Sequence, residues 1–145
     1  MGILIEDRQN RYRIDHAEIK KKATTILNAL GCPNGELSIL IVDDPEIARL
    51  NKTYLCMQGP TNVIAFPMQE GPFEQINPNL LGDVVISLDT AAREAKDAGM
   101  SVESRFDQLL IHGILHLLGF DHEKTLEQAE AMRIKEEELL KLLEE

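Results

Sequence analysis

Three of the four histidines fall in one 11-residue window, His112-Gly-Ile-Leu-His116-Leu-Leu-Gly119-Phe-Asp-His122. His112 and His116 are four residues apart, so on a helix both imidazoles project from one face. Gly119 can take the left-handed conformation that ends a helix and reverses the chain. The turn beyond it can then bring His122 back toward the other two. Three imidazoles suit a tetrahedral zinc ion, and three protein ligands leave the fourth position to water, the pattern of a catalytic site. The expectation is one Zn2+ per chain. Nickel or copper would also fit three imidazoles, because bare affinity does not favour zinc. A lone histidine on an apolar helix is usually a hydrogen-bonded core residue; the repeated spacing sets this trio apart. A structural zinc would need a fourth ligand, and Cys32, Cys56 and His16 stand at no ligand spacing from the cluster.

The spacing H-x-x-x-H-x-x-G-x-x-H is also that of the metzincin proteases. Their general base is a Glu directly after the first histidine, and here that residue is Gly113. Without the carboxylate, peptide hydrolysis is disfavoured, and a water must be activated by the metal, by a base from elsewhere, or by the scissile group itself. A Glu at position 113 is expected to restore some peptide hydrolysis if the cleft is open. With a ribose substrate the 2′-hydroxyl can be the nucleophile, and no protein carboxylate is then essential. Asp121 adjoins His122 and would orient a histidine by hydrogen bonding, or else cap the last helix. Arg49, Lys52 and Asn62 are the candidates for substrate contact, although an Asn at a strand entry is often a turn residue. Asp83 reads as a turn residue, and Met132 as core or as packing beneath the histidines.

These residues need elements to hold them. Ile3–Ile5 reads as a short strand. Asp15 caps a helix to Leu30 whose apolar face is Ile19, Ala23, Ile26, Leu27 and Leu30. Glu36–Val42 is a buried strand, and Pro45 starts a second helix running to about Tyr54. Strands follow at Asn62–Phe66 and Gly82–Leu88, separated by a long loop from Met68 to Leu80 that contains Gly71, Pro72 and Pro78. Asp89 or Thr90 caps a third helix that ends at Gly99. Ser101 caps a fourth that is apolar on most sides, which marks a buried central helix. A charged amphipathic helix closes the chain from about Lys124 to Leu143. This pattern predicts an α+β fold over residues 1–145: one domain, a small mixed sheet, about five helices, and the metal site on the central helix.

At 145 residues the chain can bury a core without staples. Two cysteines without CxxC spacing read as reduced, buried or half-buried thiols. No apolar run approaches the ~18 residues of a membrane span, and the first residues are acidic where a signal peptide would be apolar. A cytoplasmic protein with no membrane partner is expected. The net charge of −10 argues against blanket binding of nucleic acid. Residues 1–22 nevertheless carry six bases against four acids. Lys20, Lys21 and Lys22 there are either a solvated helix face or a local contact for a polyanion.

HGILHLLGFDH, with LNKTY at 50–54, PTNVIAFP at 60–67 and LGDVVISL at 81–88, resembles the bacterial YbeY family of rRNA maturation factors. The resemblance implies a single-strand-specific, metal-dependent endoribonuclease acting in 16S rRNA 3′-end maturation and ribosome quality control. Single-stranded rRNA and the small ribosomal subunit would be its partners. It also implies a zinc-like ion on His112, His116 and His122. The family commonly places an Arg after the Tyr at position 54, and this chain has Leu55. Two other readings stay open: a metal-dependent hydrolase of another bond (an amide or another phosphoester), and a non-enzymatic ribosome-assembly factor.

Overall fold

Alternation of apolar residues along the strands decides which side of the sheet each helix covers. The computed structural model describes residues 2–68, 79–120 and 125–144. Its elements run β1 (Ile3–Asp7), α1 (His16–Ala29), β2 (Glu36–Val42), α2 (Asp44–Leu55), β3 (Val63–Pro67), β4 (Leu80–Ser87), α3 (Leu88–Ala98), α4 (Val102–Leu117) and α5 (Leu126–Glu144). The strand order is β1-β2-β4-β3, with β1, β2 and β4 parallel and β3 antiparallel to β4. One face presents Leu37, Ile39, Ile41, Val84 and Ile86 to α1, α3 and α4, with Met132 and Leu139 of α5 closing the same core. The opposite face carries a smaller cluster, Val42, Ile64 and Val85, under Ile47 of α2. The α+β architecture of one mixed sheet and five helices is the one expected.

Local sequence explains most boundaries. Asp15, Asp43 and Ser101 each accept a backbone N–H three residues on, as N-caps do. The cap of α3 is Ser87 rather than Asp89 or Thr90. Both of those residues are engaged instead with α2: Asp89 accepts from the Asp44 N–H at 3.0 Å, and Thr90 donates to Asp44 Oδ1 at 2.6 Å. Strand β4 starts two residues before Gly82, because Leu80 pairs with Glu36 ahead of a register shift. Helix α4 has nine buried residues and touches α3, α5, β3 and β4, so it is the central helix.

Two expectations about side chains change. Lys22 is neither on a solvated face nor available to a polyanion. It is buried between helices, donating to Asp107 Oδ1 at 2.9 Å and Glu103 Oε1 at 3.0 Å. Burial opposes its charge, but the two carboxylates outweigh that and hold its ammonium above the ordinary lysine value. Cys56 is exposed, at the left-handed C-cap of α2, whereas Cys32 is half-buried as expected. Among the described residues no helix is long and apolar enough to cross a membrane. The predicted loop falls largely outside the described residues.

Candidate metal centre

The last two turns of α4 hold the histidines because the rest of that helix end is pinned in the core and against the sheet. Ile111, Ile114, Leu115 and Leu117 are buried in the core. Gly113 faces the sheet so closely that a Cβ there would stand 2.6 Å from Val84 Cγ1. The helix ends at the Leu118 cap, and Gly119 takes φ +94°, the left-handed turn that the glycine spacing predicts. His112 and His116 thus share the face turned away from the sheet. Their Nε2 atoms are 3.0 Å apart and their rings cross at 70°.

Two nitrogens holding one tetrahedral ion at ~2.05 Å stand about 3.3 Å apart. A separation of 3.0 Å needs only a small ring rotation to reach that value, so the pair fits a transition-metal ion with imidazole donors. His122 and Asp121 lie outside the described residues. Among the described residues no three His, Cys, Asp or Glu side chains converge, so His16, Cys32 and Cys56 complete no structural site there.

A cavity of about 270 Å³ opens beside His112. Asn62 and Arg105 line it on one side, and Arg133, Glu136 and Glu137 of α5 on the other. Asn62 donates to Glu94 Oε1 at 3.2 Å, and Arg105 donates to the same oxygen at 3.0 Å and to Gln108 at 2.7 Å. Arg133 pairs with Glu130 and Glu137. Glu136 Oε2 lies 3.1 Å from His112 Nδ1. Of the substrate candidates, Asn62 therefore lines the histidine cavity. Arg49 and Lys52 do not line it; they sit on α2, the helix of the opposite sheet face. Asp83 of β4 pairs with Ser38 of β2 and Phe66 of β3 and lines a separate groove of about 410 Å³ on that opposite face, with Leu4, Leu40, Tyr54 and Phe66. Met132 is fully buried in the core.

Gly113 corrects one expectation. A Glu there would meet Val84 and Val63 rather than the imidazoles, so it could not act as a base at this site without displacing the helix. Sequence reasoning missed Glu136 and Arg105. The available signal for Glu136 was an acid set in the apolar stripe of Met132, Leu139, Leu140 and Leu143.

The family model described as Endoribonuclease YbeY matches residues 4–144. The chain belongs to the endoribonuclease YbeY family. The Endoribonuclease YbeY of Geobacter sulfurreducens is 50% identical over 145 residues, covering 99% of this chain and 97% of that protein. That of Aquifex aeolicus is 45% identical over 141 residues, covering 97% and 91%. The solution structure of TM1509 from Thermotoga maritima superposes with a TM-score of 0.72 at 23% identity, covering 97% of this chain and 88% of that one, and so shares the fold. For this YbeY-family chain, the four sequence blocks that suggested the family map onto α2, β3, β4 and the histidine end of α4.

Proposed function

We propose that this chain is a single-strand-specific, metal-dependent endoribonuclease of 16S rRNA 3′-end maturation and ribosome quality control, acting in the cytoplasm on the small ribosomal subunit. In this reading His112, His116 and His122 hold one zinc-like ion, nickel being the alternative. The observation that carries it is the convergence of two Nε2 atoms at 3.0 Å beside an open cavity, in a family whose description is an RNA-cutting enzyme.

When bound, the ion supplies Lewis acidity toward a phosphate oxygen and lowers the pKa of water. The rest falls to the chain. The described cavity wall keeps its carboxylates committed, Glu136 to His112 and Glu137 to Arg133. Gly113 offers none. The reading therefore assigns the nucleophile to the substrate's own 2′-hydroxyl: O2′ bonds phosphorus as the P–O5′ bond breaks, the 2′-proton leaves to water and O5′ takes one from water, giving a 2′,3′-cyclic phosphate and a 5′-hydroxyl, while Asn62 and Arg105 at the cavity wall orient the strand. That assignment requires ribose at the scissile position.

The test is cleavage of a defined single-stranded rRNA segment by metal-loaded protein, beside His116→Ala and beside the same RNA with one 2′-deoxy residue at the cut. Cleavage lost in both controls supports the reading. Cleavage by His116→Ala overturns the metal site, and cleavage at the deoxy position overturns the nucleophile.

A further inference from the structure

His112 has two ring nitrogens, and the fold gives them different neighbours. Nε2 faces His116 Nε2 at 3.0 Å, and Nδ1 faces Glu136 Oε2 at 3.1 Å. An ionised carboxylate only accepts, so the proton in that contact belongs to Nδ1. In a neutral imidazole the lone pair is then on Nε2, the nitrogen aimed at the metal position. Without metal, the His116 Nε2–H donates into it.

Glu136 differs from its acidic neighbours. Glu130 and Glu137 pair with Arg133, and Glu138 pairs with Lys135, all on the exposed side of α5. Glu136 instead follows fully buried Met132 by one turn and precedes Leu139 and Leu140, on the side that packs against α4. Its side chain is 31% exposed. A carboxylate in an apolar stripe costs desolvation that only a specific partner offsets, and the described partner is a histidine ring nitrogen.

We propose that Glu136 is the positioning residue of the metal centre: it fixes His112 as the Nδ1–H tautomer and aims Nε2 at the ion. This rests on the reading of His112 and His116 as metal ligands. Carboxylate partners of ligating histidines set ring orientation and raise ligand basicity, and losing one typically costs 10–100-fold in metal affinity. The proposal also makes α5 part of the site, because the aim of His112 depends on where that helix lies on α4.

Two measurements on the full chain test it. Ring-nitrogen NMR of the metal-free protein reads the tautomer of His112. The wild type is expected as Nδ1–H, and Glu136→Ala is expected to move toward Nε2–H. Zn2+ titration against a chromophoric chelator reads affinity. Glu136→Ala is expected to bind about 10–100-fold more weakly. Glu136→Gln, which keeps an acceptor oxygen without the charge, should fall between Ala and wild type. Glu138→Ala should match wild type. An Nε2–H tautomer in the wild type, or Glu136→Ala binding Zn2+ as tightly as wild type, overturns the proposal. A wild type that takes up no Zn2+ overturns the metal reading and this role with it, and the ring shifts still report whether Glu136 sets the tautomer.

Discussion

Helix α4 carries two polar clusters of different kinds. Near its start, Glu103 and Asp107 turn toward Lys22 of α1. Near its end, His112 turns toward Glu136 of α5 and a cavity, with His116 against it. At 100° per residue the centres of the two stripes lie about 180° apart around the helix. The first cluster is closed: Lys22 and Asp107 are both buried, and the cation donates to two carboxylates. The second is open: two imidazoles meet Nε2 to Nε2 at 3.0 Å beside a cavity that His112 lines, like groups rather than opposite charges. Opposite charges that pair with one another hold helices in place, whereas two like imidazoles brought together beside a cavity form the proposed ligand pair. Burial alone does not separate the two, since the structural pair is the more buried.

Removing a histidine should have the largest effect and sharpen the contrast. His116→Ala is expected to drop metal content from about one ion per chain to near zero and cut RNA cleavage by more than about 100-fold, beyond the loss of a carboxylate partner. Its melting temperature without metal should stay near that of metal-free wild type. Elemental analysis, a cleavage assay and a thermal melt check the three parts. Full metal occupancy in the variant would break the comparison.

Asp107→Ala should do the reverse. Leaving Lys22 buried with only the exposed end of Glu103 is expected to cost about 3 kcal/mol of stability by denaturant unfolding. Metal content below the transition should be unchanged. Adding Lys22→Met should recover most of the loss, because an apolar pair replaces an orphaned charge.

Gly113→Ala should cost somewhat less, about 2 kcal/mol, because its Cβ meets Val84 and helix or strand must yield. Metal affinity should fall with it, since the displaced helix carries both imidazoles. A stable variant with wild-type affinity would show that the sheet does not register the site.

The smallest effect concerns alkaline pH. Lys22 is held above its ordinary value by Asp107 and Glu103, against burial. Its contribution to stability is then fully present below the unfolded lysine value of about 10.4 and lost as pH rises through the folded value. Denaturant midpoints measured from pH 9 upward should fall in wild type more steeply than in Lys22→Met/Asp107→Ala.

Much of α4 was legible because its signals are local. Ser101 caps it, the apolar run makes it central, and the interval from His112 to His116 puts two rings on one face. The strands were legible for the same reason, since β-branched runs bounded by Pro and Gly repeat along the chain. What escaped was contact between helices far apart in sequence. Lys22 looks like one of three solvated lysines until α4 is laid beside α1. Glu136 looks like one of three consecutive surface acids until α5 is laid on α4. Ser87 was passed over as a cap because Asp89 and Thr90 after it are cap types as well, and their pairing with Asp44 is tertiary. Gly113 was legible as a missing base, but not as a spacer set by Val84.

The last helix has a consequence for when the site comes into being. Met132, Leu139 and Glu136 all belong to α5, which follows α4 in the chain, and they cover α4 and engage His112. Chains are made from the amino end, and domains fold as units once their elements are available. A growing chain that has emitted β1 through α4 lacks that cover, so its histidine face stays unassembled until α5 follows. The proposed centre therefore waits for α5: a chain stopped before that helix would carry His112 and His116 without the side chains that cover α4 and meet His112.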